Sequence, residues 1–376
     1  MTTETAREAR PRIEAIDWLR GVLACCVMLY HVTSWAHLAL PVPAERFLFR
    51  SGIYAVLSFY VISGISFGFV YRAMRLDAQD LLEFWIKRFF RIAPLYWFAM
   101  LGVLGLAAIK TFGHGAPFST SATALLLNAT ITFGVIDPAS YMVTGGWSIG
   151  NEMAYYVALP FLVAAARHRR WSILPLLAVS VAMGAPFAFV WIDASRPLSE
   201  QWTTYIHPLC HLFYFVAGVA LSVALPPGRL PAITAGVGLA LLLIVYTLGP
   251  GGGDQATIVT NGAWVYYSVL CILACAVVYA AKVHLPALPS RAMSWLGRSS
   301  YAIYLLHPLV YKTLAVLDIQ RPGLRVAASV SITLALSHLV YHRIERPMID
   351  AGRRNAPRFA TWIRARPRAV MGRFGG

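Results

Sequence analysis

An all-α, polytopic integral membrane bundle of about ten transmembrane helices is the fold class this sequence predicts. Three observations carry it. Of the 376 residues, 58% are hydrophobic and only 13% are charged, where a soluble domain carries about a quarter charged residues. The apolar residues fall in repeated blocks of roughly 17–22, the length that spans hydrocarbon as helix. Most of the 32 Lys and Arg sit in the short connections between those blocks, as cytoplasmic loops require. That placement accounts for the net charge of +16 without nucleic acid, for which there is neither an aromatic–basic motif nor a soluble basic domain.

In chain order, residues 1–15 are expected to be a short, polar cytoplasmic arm leading into an uncleaved first helix, because the apolar block that follows carries Arg20 and lacks a small-residue cleavage site. The first helix is expected over 16–38 and the second over 51–71. The basic connection 72–91 has an amphipathic second half expected at the interface, and the third helix follows at 92–109. Residues 121–136 are moderately apolar. If they crossed, the loop RHRRW at 167–171 would lie outside, against the positive-inside rule, so a re-entrant or surface segment is predicted. Further helices are expected over 147–166, 172–192, 207–225, 231–249, 262–281, 300–317 and 325–342, with a basic tail beyond. Ten helices put both termini in the cytoplasm. The five cysteines all lie in apolar segments without metal or redox spacing and are expected to be small core residues.

Four stretches carry polar chemistry. Arg20 and His31 lie in one spanning segment, eleven residues apart. They share a helical face and are separated by ~16 Å along the axis. Ionisable groups in a spanning helix mark function, and a neutral imidazole suits a general base. Arg88 and Arg91, three apart before the third helix, suit phosphate, which guanidinium groups grip with paired hydrogen bonds. With Arg20 they are expected to surround one anionic ligand. In GGWSIGNE (145–152), Ser148 and Glu152 lie four apart, and Glu152 is expected at the depth of His31. There it would orient and charge-stabilise the imidazole or bind a hydroxyl. In GRSSYAIYLLHP (297–308), Ser300, Tyr304 and His307 form a polar stripe at i, i+4 and i+7, facing a cavity or gluing helices together. His207 and His211 are four apart but lack further ligands at a telling spacing, so no metal site is predicted.

These stretches, in this order, resemble the membrane-bound acyltransferase-3 family. Arg20 and His31 match its Arg-x10-His, Arg88 and Arg91 its Arg-x-x-Arg, WSIGNE its Trp-Ser-Leu-x-x-Glu with Ile149 in place of Leu, and SYAIYLLH its late Ser-Tyr segment. The resemblance spans about 13 to 347 and is nearest in look to the standalone exopolysaccharide or O-antigen branch. It implies a transmembrane acyltransferase domain over 16–347, a basic cytoplasmic tail over 348–376, and a bacterial inner-membrane location. It implies acetyl-CoA as donor, held by Arg20, Arg88 and Arg91, and a carbohydrate hydroxyl as acceptor. His31 would act as base or nucleophile, and Glu152 would orient His31 or the acceptor. Ser148, Asn151, Ser300, Tyr304 and His307 are the expected substrate contacts. No hydrolase-like domain of the kind many members carry is visible in these residues, so transfer is expected to finish unaided or with a separate extracytoplasmic partner. A proton-coupled sugar or lipid transporter is the alternative, since His31 and Glu152 also suit proton coupling. Against it, no inverted repeat or paired broken helix is visible.

Overall fold

A computed structural model describes residues 13–371 apart from 73, 115–119, 252–253, 284–285, 318 and 320. Most of the predicted arm, 1–12, lies outside the described residues, as does 372–376. The described residues are helical, with no strands beyond one isolated bridge between Leu230 and Ala281. The long helices are α1 (Glu14–Trp35), α2 (Val42–Val70) and α3 (Ala78–His114), followed by the short α4 (Ala122–Thr130) and α5 (Phe133–Ile136). Then come α6 (Gly146–His168), α7 (Ile173–Pro186), the short α8 (Trp202–Tyr205), α9 (Pro208–Ala224) and α10 (Ala232–Leu248). The last group is α11 (Gln255–Ile258), α12 (Asn261–Ala280), α13 (Ala287–Val316), α14 (Pro322–Val340) and α15 (Arg346–Met371).

Among the described residues seven helices are long and apolar enough to cross a membrane, or eight if the helical stretch Leu198–Tyr205, which ends in α8, and α9, bent by 63°, make one span. That is fewer than the ten predicted, for two physical reasons. Helix α10 is apolar but only 17 residues long, short of the ~20 a bilayer core needs. Helix α13 carries Ser299, Ser300, Tyr304, His307 and Lys312 along its apolar half, which lowers its hydropathy. The 121–136 region forms helices of nine and four residues. They are too short to cross, and they break at Ile131, whose φ of 56° is left-handed. The amphipathic second half of the 72–91 connection, expected at the interface, is continuous with the third helix as the first part of α3, which starts at Ala78.

Helix α2 forms the centre, with 78% of its most apolar stretch buried. Helix α13 runs parallel to α1: Gly297 abuts Asp17 near one end, and Trp35 meets Tyr311 at 5.3 Å near the other. A Cβ on Gly297 would sit 2.2 Å from the Asp17 carbonyl oxygen, and small residues at such crossings let membrane helices approach closely. Gly297→Val should therefore force α1 and α13 apart and cost roughly 1–3 kcal/mol. A lower melting temperature of the detergent-purified protein would register it, and an unchanged one would show that the crossing yields without cost.

At the far end of α2, Arg50 is 3% exposed. Its guanidinium donates to the carbonyls of Tyr246, Thr247, Gly249 and Gly251 at 2.6–3.1 Å. One fixed fork of donors thus gathers the chain leaving α10, where the last carbonyls of a helix lack partners.

Candidate active site

Helices α1, α2, α3, α6 and α13 bring two polar clusters together at different depths. The first lies around Arg20. Its Nη2 donates to Ser66 Oγ at 3.1 Å, and Asp17 lies 3.7 Å from Nη1. One turn along α2, Ser63 donates to Glu152 Oε1 at 2.6 Å, and the same oxygen accepts from the Tyr156 hydroxyl at 2.6 Å. Arg20 is within electrostatic reach of Glu152 and Arg91. Arg88 lies over the Phe67 ring at 4.8 Å and donates to the Tyr71 hydroxyl at 3.2 Å. Its Nε is buried with no hydrogen-bond partner among the described residues. Arg20, Arg88, Arg91 and Glu152 are all half-buried, and Asp17 beside Arg20 and Glu345 within reach of Arg91 bring the carboxylates around the three cations to three. The grouped guanidinium forks and the vacant Arg88 donor suit a phosphate-bearing molecule.

The second cluster lies about three turns further along α1. His31 Nδ1 is 3.0 Å from His307 Nε2, and His307 Nδ1 is 3.0 Å from the Ile303 carbonyl. Trp35, one turn beyond His31, lies within 16° of parallel to both imidazoles, at 4.6 and 6.2 Å. One turn back on α13, the Tyr304 hydroxyl, Ser148 Oγ and the Gly145 carbonyl form a triangle with sides of 2.8–3.0 Å. Two hydroxyl hydrogens serve its three edges, so one edge is always without a hydrogen and the pair can reorient. Gly145 starts α6 at φ +82°, a left-handed turn that costs glycine little.

The depth expected for Glu152 needs correction, and the other candidate residues have partners of their own. Glu152 does not meet His31; it lies with the arginines, and His31 takes His307 as partner. Depth estimated along single helices missed this, because α6 runs parallel to α2 and carries Glu152 down to the level of Ser63. Asn151 does not join the others. It is fully buried, and its amide donates to the Ile206 carbonyl at 3.0 Å. Ser300 spends its hydroxyl on the Gly297 carbonyl at 2.9 Å. His211 contacts the Tyr205 carbonyl at 2.7 Å, and His207 caps α9 by accepting from the Leu209 amide. Among the described residues no three His, Cys, Asp or Glu side chains gather as a metal site would need.

Sequence reasoning also missed Ser63, Ser66, Tyr156, Trp35 and Glu345. The serines at i and i+3 in an apolar span, and Tyr156 one turn after Glu152, were available signals. Glu345 closes the π-helical turn Tyr341–Glu345, is 3% exposed, and lies within electrostatic reach of Arg91. A carboxylate in the basic stretch that follows the last apolar block was its signal.

A model of the acyltransferase-3 family, an acyltransferase domain, matches residues 13–342. The peptidoglycan O-acetyltransferase OatA of Listeria monocytogenes is 24% identical over 376 residues, covering 93% of this chain and 57% of its own length. The O-acetyltransferase OatA of Staphylococcus aureus (strain NCTC 8325 / PS 47) is 24% identical over 372 residues, covering 90% of this chain and 58% of its own. The chain thus spans little more than half the length of these relatives. No solved structure matches it. With the family match covering most of its length and its apolar helices long enough to cross a bilayer, the chain is a multi-pass membrane protein that belongs to the acyltransferase-3 family.

Proposed function

We propose that this protein is a membrane O-acetyltransferase that moves an acetyl group from acetyl-CoA to a hydroxyl of a cell-envelope carbohydrate. The observation that carries this is the pairing of a half-buried imidazole, His31, with a half-buried arginine cluster that begins on the same helix at Arg20 and is completed by Arg88 and Arg91 of α3. The relatives' names make peptidoglycan the first acceptor to try, with exopolysaccharide as the next.

The donor is polyanionic. Arg20, Arg88 and Arg91 would hold its phosphates, and Glu152, through Ser63 and Tyr156, would keep the cluster in register. The pantetheine arm would run along α1 from Arg20 to His31, ~16 Å of axis. His31 would take the proton of the acceptor hydroxyl as general base. Ser148 and Tyr304, with their shared mobile hydrogens, would line the acyl or acceptor pocket. The protein would sit in a bacterial inner membrane with both termini and the arginine mouth on the cytoplasmic side, where CoA is found.

Calorimetry on the purified protein tests the donor site. Wild type should bind acetyl-CoA, and Arg88→Ala/Arg91→Ala should lose at least ~30-fold in affinity, as expected for two charge-assisted contacts of roughly 1–3 kcal/mol each. Folded wild type that binds no acyl-CoA would remove the donor and with it the assignment. Uptake of a sugar into proteoliposomes without any acyl donor would favour transport instead.

A further inference from the structure

The order of donors and acceptors along the His31–His307 pair is fixed from its far end. Nδ1 of His307 lies 3.0 Å from the Ile303 carbonyl oxygen. A carbonyl only accepts, so this nitrogen carries a hydrogen. In the neutral ring, Nε2 of His307 is then a bare lone pair. The nitrogen facing it at 3.0 Å, Nδ1 of His31, must be the donor. A neutral His31 with its hydrogen on Nδ1 has its own lone pair on Nε2.

The geometry suits that chain. The two rings meet edge to edge: their planes differ by 16°, and their centroids are 5.1 Å apart although the nitrogens are 3.0 Å apart. Lone pairs and N–H bonds of imidazole lie in the ring plane, so the contact is aligned. Trp35 lies near-parallel beside both rings and restrains their rotation. Burial distinguishes the partners, because His307 is 1% exposed while His31 is half-buried. Among the described residues no group bonds Nε2 of His31.

We propose that His307 is a positioning residue that holds His31 as its Nδ1–H tautomer, so that His31 Nε2 is the atom that meets the acceptor hydroxyl. This rests on the proposed transfer reaction only in naming what Nε2 does. Nε2 takes the hydroxyl proton as the acceptor oxygen bonds to the thioester carbonyl carbon. The carbon–sulfur bond breaks, and the departing thiolate takes that proton back from His31, leaving free CoA thiol and a neutral imidazole. Throughout, Nδ1–H stays on His307, whose lone pair stabilises the transient imidazolium and whose own hydrogen stays on Ile303. The alternative tautomer would turn an N–H toward the acceptor and offer no base. Substituting a residue that fixes an imidazole's tautomer can cost as much as substituting the base itself.

The test uses the full chain, labelled with 15N-histidine and reconstituted in bilayers, where protonated and unprotonated ring nitrogens resonate far apart. Loss of signals in His31→Gln assigns that ring. Wild type should show His31 protonated at Nδ1 and bare at Nε2. His307→Gln places an amide oxygen near the former Nε2; it should keep that tautomer and keep transfer within ~10-fold. His307→Leu removes the acceptor; it should shift His31 toward Nε2–H and lower kcat ~10²–10³-fold, with KM for acetyl-CoA unchanged. Should the leucine variant fail to fold, His307→Asn, whose shorter amide reaches only toward Ile303, replaces it. Wild-type His31 carrying its hydrogen on Nε2, or His307→Leu with normal tautomer and kcat, would overturn the proposal. A wild type with the expected tautomer but no acyl transfer would sink the functional assignment and leave the tautomer standing.

Discussion

His31→Ala should lower kcat for acyl transfer by roughly 10²–10⁴-fold, the range a positioned general base contributes. The variant should still bind acetyl-CoA, because the arginine cluster lies ~16 Å away along α1. Loss of rate without loss of donor affinity separates a chemical role from a structural one. The ring removed is half-buried, and its partner His307 keeps its bond to Ile303, so the fold should tolerate the change. The assay is transfer of labelled acetyl from acetyl-CoA to peptidoglycan fragments, alongside calorimetry on the same preparation. A folded His31→Ala protein that transfers at the normal rate would remove His31 from the chemistry. Accumulation of an acetylated enzyme in wild type when acceptor is withheld would make His31 a nucleophile rather than a base.

The second large effect is on stability. Arg50→Leu should destabilise the protein by about 3 kcal/mol, because four carbonyls lose one common donor and each buried acceptor left unsatisfied costs about 1–3 kcal/mol before water reaches it. The apparent melting temperature should fall by on the order of 5 °C. Arg50→Lys should recover only part of this, since one ammonium cannot serve the four carbonyls a guanidinium fork spans. The effect should also reach the site. The gathered loop leads into α11, where Gln255 donates to the Tyr30 hydroxyl at 2.5 Å, and Tyr30 borders His31 with ring centroids 5.0 Å apart. A melting temperature equal to wild type would mean that water replaces Arg50 without penalty.

The membrane-bundle class was legible because it is a matter of composition and block length, which need no knowledge of neighbours. The shared face of Arg20 and His31 was legible for a similar reason, since one helix fixes both. What α1 faces was not. His31 meets a residue 276 positions away in sequence, and nothing local to either helix specifies that α13 runs beside α1. The misplacement of Glu152 has the same origin: its level depends on how far α6 slides along α2, and that is set by packing such as Tyr60 against Tyr155. The helix count erred where the pattern was read as apolar and the structure shows a short helix, α10, or a polar one, α13. Asn151 was grouped with its motif neighbours, yet its amide goes to the Ile206 carbonyl, a partner 55 positions away that no spacing within α6 announces.

Helices α14 and α15, joined through the π-helical turn, form one rod of 40 residues from Pro322 to Thr361. At 1.5 Å per residue it is ~60 Å long, about twice the hydrocarbon thickness of a bilayer. The 37-residue α3 lies against its second half, with Phe90 packed on Gly352. A rod of that length exceeds the thickness of a detergent belt, so part of it must lie outside the belt or along its surface. For particle imaging that excess length offers an alignment landmark: helical density beyond an otherwise featureless micelle would report the orientation of the helices it is joined to.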